Sequence, residues 1–165
     1  YFLVRSFYDF DTSDIDVKPS VANFSFTPYL AAAATPCIVA KSGHDPTDAT
    51  DDWFSTWITG QGVTLSGWGS GDITAYSAST ALGAANFATI FGGNDDLLND
   101  MRDLDTLKIC LLHTNDYNDT APTSGIPRTG MFFAEFGGAT RPQLIYAPGE
   151  AVSVTDNSIF FGANF

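Results

Sequence analysis

Apolar and polar residues alternate over short runs along much of this chain, the two-residue period of strands with one buried face. VANFSFTPYL sets Ala22, Phe24 and Phe26 on one side and Asn23, Ser25 and Thr27 on the other. The opening YFLVRSFYDF is aromatic-rich and partly alternating until the acidic turn DTSDIDVKPS stops it at Pro19, which predicts a strand from Tyr1 to Phe10. PCIVAKS follows a small-residue run as a third short strand. ITAYSAST, after the tight turn at Gly67, Trp68, Gly69 and Gly71, reads as an edge strand. LKICLLH is instead almost continuously apolar, the pattern of a strand buried on both faces. GMFFAEF and PQLIYA read as two closing strands joined through Gly137 and Gly138.

A helical period is convincing once, in NDDLLNDMRDLD. Asn94 can cap, Asp95 and Asp96 face the positive end of the dipole, and Leu97, Leu98, Met101 and Leu104 share a face. Gly43 to Gly71 reads as a long insertion with one helical turn, capped by Asp51 or Asp52, that sets Trp53 and Trp57 on one side. With 165 residues the chain fits one domain with a sizeable core. The expected fold is all-β, an antiparallel jelly-roll-like sandwich with one short helix and long loops. It is expected to span 1–148, with an apolar C-terminal tail over 149–165.

Composition supports this reading. The acidic residues are 17 Asp and only two Glu, Glu135 and Glu150, and Asp favours turns and loops where Glu favours helices. The net charge of -12 repels phosphate backbones and anionic bilayers, so neither direct nucleic-acid binding nor membrane insertion is expected. No stretch is long enough to span a bilayer. Cys37 and Cys110 each sit in an apolar run and are expected to be reduced and buried, although they could also pair. A start at Tyr1 rather than Met is expected of a processed product or of part of a longer chain.

RSFYDFDTSDI, the short helix before LKICLLH, and the closing GMFFAEF and RPQLIYA together resemble the DNRLRE-type modules, β-sandwich domains with carbohydrate-binding members. The chain is most similar to their divergent form in environmental phage structural proteins, where R-S/T-F-x-x-F-D-T-S and R-P-x-L-x-Y segments recur. The resemblance spans Tyr1 to Ala147 and is carried by Arg5, Phe7, Phe10, Asp11, Thr12, Ser13, Arg141, Pro142 and Tyr146. It implies a fold more than a function.

Catalytic motifs are absent: there is no G-x-S-x-G, no phosphate-binding loop, and Gly67 to Asp72 stops short of the dinucleotide fingerprint. His113, Asp116 and Ser124 can be written as a triad, but Asp and Ser are so abundant that such sets arise by chance. A calcium ion would take its oxygen ligands from Asp-rich loops. Asp45, Asp48 and Asp51 form the best such group, against the ordinary account of a solvated turn. For a glycan, Trp53, Trp57, Trp68 and Tyr76 are the candidate stacking platform, against the account that they fill the core. Ile159, Phe160, Phe161 and Phe165 make the tail too apolar to leave in water, and they are the candidate assembly interface. The expected function is therefore a non-enzymatic virion or extracellular structural protein of decoration, fibre or attachment type. Its partners would be further copies or other structural proteins, with polysaccharide contact in addition. The alternative is a carbohydrate-binding module of a secreted polysaccharide-degrading enzyme.

Overall fold

The structure, a computed structural model, describes residues 5–31, 35–44, 72–84, 86–120, 129–131 and 141–150. Along the chain these form β1 (Ser6–Asp11), β2 (Val21–Phe26), β3 (Pro28–Ala31), β4 (Pro36–Lys41), β5 (Thr80–Ala81) and β6 (Thr89–Gly92). Then come α1 (Asp95–Asp103), β7 (Thr106–His113), α2 (Thr114–Tyr117), β8 (Thr129–Met131) and β9 (Gln143–Ala147). Among the described residues the strands make a four-stranded sheet ordered β1-β7-β4-β5, a three-stranded sheet ordered β6-β2-β9, and a β3-β8 ribbon. Every pairing is antiparallel. The architecture is the all-β sandwich that the alternating pattern predicts.

The two sheets meet over an aromatic core. Ala22, Phe24, Phe26 and Phe91 from the three-stranded sheet pack against Cys37, Val39, Leu107, Ile109 and Leu111 from the other. The Phe26 and Phe91 rings stack with centroids 6.0 Å apart. The four-stranded sheet also buries its other face, where Ile38, Ala40, Cys110 and Leu112 pack with Ile73 and Tyr117. That second layer explains the unbroken apolar run of β7, since both of its faces leave water. Cys37 and Cys110 are buried and unpaired, and they lie in the clusters on opposite faces of the same sheet.

Helix α1 forms as its capping signals predict. Asn94 Oδ1 accepts from the Leu97 N–H at 3.1 Å, and Arg102 stands in the last turn. Leu97, Leu98 and Met101 are buried against the core, each worth about 1.5–3 kcal/mol of apolar burial. Gly93 precedes the cap because any Cβ there would lie 2.3 Å from Leu97 Cδ2 and 2.8 Å from the Ala22 carbonyl.

Some local expectations change. ITAYSAST does run along β4, through a bridge from Ala40 to Ala75 and then β5, but it is an irregular edge rather than one continuous strand. The segment after β7 begins with a helical turn, α2, where the sequence suggests only a loop. β8 pairs with β3 and β9 with β2, so among the described residues the two closing strands go to different partners. Asp11, Thr12 and Ser13 form a capped turn: Asp11 Oδ1 accepts from the Ser13 N–H, and the Thr12 hydroxyl donates to the Leu104 carbonyl at 2.5 Å.

Candidate functional site

A polar constellation lies on the outer side of the four-stranded sheet, where β4 ends and the chain leaves toward residue 45. His44 is buried, with its ring 5.0 Å from that of Phe7. Its Nε2 lies 2.9 Å from Asp9 Oδ1 and its Nδ1 lies 2.7 Å from the Ser42 hydroxyl. Lys108 Nζ donates to the His44 carbonyl at 2.8 Å. Register explains the meeting, because Asp9 on β1 pairs with Lys108 on β7 and both point to this face. Serine, imidazole and carboxylate are thus in contact, and Ser42 is buried along with His44.

The same contacts fasten the chain on either side of residues 45–71. The Ser42 N–H donates to the Lys108 carbonyl at 3.1 Å, and the Lys41 N–H donates to the Thr74 carbonyl at 2.9 Å. The Tyr117 hydroxyl donates to the Ile73 carbonyl at 2.7 Å. Asp45, Asp48, Asp51, Trp53, Trp57 and Trp68 all belong to this one excursion and lie outside the described residues, as do Ile159, Phe160, Phe161 and Phe165.

Tyr76 is the one glycan candidate that the structure describes, and it is corrected. It is 0% exposed, so its ring has no face for a sugar. Its hydroxyl donates to Asp100 on α1, whose carboxylate also holds Lys41 Nζ at 2.8 Å. Burial, and then the bond to Asp100, push the Tyr76 phenol well above its ordinary range. An alternating pattern cannot distinguish such a core tyrosine from an exposed one.

His113 and Asp116 each hydrogen-bond to other groups. His113 Nδ1 accepts from the Asn115 N–H at 3.0 Å, capping α2, and burial lowers its pKa. The Asp116 carboxylate accepts two hydrogen bonds from Arg5, at 2.6 and 2.7 Å. Ser124 lies outside the described residues. Burial pushes the Cys37 thiol up to about 12 and the Cys110 thiol up as well, so neither is a thiolate at neutral pH. Among the described residues no group of three or more His, Cys, Asp and Glu is placed to hold a metal ion.

Sequence reasoning overlooks the outer face of the three-stranded sheet. Register places Val21, Asn23 and Ser25 there with Ala147, Ile145 and Gln143 on one side and Gly92 and Ile90 on the other. Val21, Ile145 and Ile90 are 47%, 50% and 58% exposed, and the face carries no charged side chain among the described residues. The available signal was that Val21 and Ile145 are apolar although they stand in the polar phase of their strands. Beside this face an open groove is lined by Phe10, Arg141, Pro142, Gln143 and Leu144. Set beside known proteins, the chain matches no family model, no curated protein and no solved structure.

Proposed function

We propose that this domain is a non-enzymatic structural protein of a virion or other extracellular assembly, of decoration, fibre or attachment type, and that it acts by contact with further copies of itself. The observation that carries the reading is the apolar outer face of the three-stranded sheet, which carries no charged side chain among the described residues, in a chain of net charge -12. Two such chains repel each other over most approaches, and a surface without carboxylates is where they can meet at least electrostatic cost. Exposed Val21, Ile90 and Ile145 supply apolar area to bury there. The resemblance of the opening and closing strands to modules of phage structural proteins points the same way.

The test is mass in solution over a range of concentrations, for the parent chain and for a variant carrying Ile90→Lys and Ile145→Lys. The parent is expected to form a concentration-dependent assembly. The variant should stay monomeric with an unchanged thermal midpoint. A parent that remains monomeric throughout overturns the proposal.

A further inference from the structure

The three-stranded sheet has a projecting ring beside one edge and a groove beside the other. Phe87 is 69% exposed, the most exposed large hydrophobic residue among those described. It sits on a braced turn leading into β6. The Phe87 N–H donates to the Ala84 carbonyl at 3.1 Å, the Asn86 N–H donates to the Pro28 carbonyl at 2.7 Å, and the Gly83 N–H donates to Thr89 Oγ1 at 2.9 Å. Asn86 adopts a φ of 67°, the left-handed conformation that asparagine tolerates better than most residues. The ring is therefore held out by its backbone rather than carried on a frayed loop.

The groove leads into β9, on the opposite side of β2 from β6. Six basic side chains are described, and five are engaged: Arg5 with Asp116, Lys18 with Asp95, Lys41 with Asp100, Arg102 with Asp103, and Lys108 with the His44 carbonyl. Arg141, at the groove, makes no such contact among the described residues. Register sets ring and groove at the same end of the sheet. Ser25 pairs with both Ile90 and Gln143, so β6 and β9 both begin beside the same end of β2, where the Pro28 carbonyl accepts from the Asn86 N–H of the turn.

We propose that Phe87 of one copy docks into the groove of Phe10, Arg141, Pro142, Gln143 and Leu144 of the next, with the Arg141 guanidinium against its ring. Apolar Phe10, Pro142 and Leu144 suit a phenyl ring, and a guanidinium gains from an aromatic face. Residues 81–93, which carry Phe87, include no charged side chain, so an acidic copy approaches here without presenting a carboxylate. Exposed Ile90 and Ile145 flank the two halves of the contact and are covered with it. With ring and groove at opposite edges of one sheet, the contact proposed is head to tail and grows into a ring or a filament. The inference rests on the self-assembly proposed above.

The experiment measures sedimentation of the parent, of Phe87→Ser, of Arg141→Asp, and of an equal mixture of the two variants, after their thermal midpoints are matched. Each variant alone is expected to associate at least about tenfold more weakly. The mixture should restore a single one-to-one dimer, because one partner keeps the groove and the other keeps the ring. Unchanged assembly of Phe87→Ser overturns this contact while leaving self-assembly intact, and a monomeric parent overturns both. A mixture that stays monomeric overturns the head-to-tail arrangement. An Asp-rich peptide that binds parent and Phe87→Ser alike, but not Arg141→Asp, would assign the groove to a carboxylate partner instead and overturn the proposal.

Discussion

The two sheets share one core, yet their outer faces are treated in opposite ways. The four-stranded sheet is covered on both sides: Leu107, Ile109 and Leu111 face the core, while Cys110 and Leu112 lie under Ile73 and Tyr117. The three-stranded sheet buries Ala22, Phe24, Phe26 and Phe91 and leaves Val21, Ile90 and Ile145 in water. Strands with two covered faces form the scaffold, and the sheet with one open face keeps apolar side chains in water. The acidic side chains sharpen the contrast. Asp9, Asp100 and Asp116 are spent on fastening the scaffold, whereas the open face carries none among the described residues.

The largest effect that would break this comparison is expected at the ion pair beside the scaffold. The Arg5 and Asp116 side chains are 4% and 5% exposed and joined by two hydrogen bonds, so Asp116→Ala leaves a buried guanidinium uncompensated. A loss of about 3–5 kcal/mol in urea-unfolding stability is expected. A loss too small to measure would mean that the outer layer adds little to the scaffold. A smaller loss, about 1 kcal/mol, is expected from Asn94→Ala, which removes the cap of the helix whose Leu97 and Met101 pack into the shared core. Circular dichroism melting of this variant shows whether the helix belongs to the common core or frays separately. The smallest effect is expected at the open face. Ile90→Ser with Ile145→Ser should move monomer stability by no more than about 0.5 kcal/mol. A larger loss at a dilution where the chain is monomeric would show that these side chains serve the fold itself.

Much of the fold was legible locally. VANFSF, PCIVAK and LKICLLH each announce their buried faces, and Asn94 with Asp95 and Asp96 announces α1. β6 escaped notice because TIFG is four residues long and followed by Gly93. α2 escaped because its cap is the His113 ring and its buried Asp116 depends on Arg5, 111 positions away. Candidate chemistry was less legible. Tyr76 stands among the glycan candidates, with the core as the other account, because nothing near it in sequence reveals Asp100, the partner of its hydroxyl.

The sequence by itself determined which residues turn inward, where the helix begins, and that Asp-rich turns separate the strands. Those outcomes depend on neighbours within a few positions, through strand and helix periodicity and through capping. Tertiary structure alone decided that β9 joins β2 while β8 joins β3, that Asp9 meets His44, and that β6 and β9 flank β2 with their starts at one end. Hydrophobic alternation specifies a face but not a partner strand. Partners are chosen by register and by burial summed over the whole core, and neither acts until distant segments have come together.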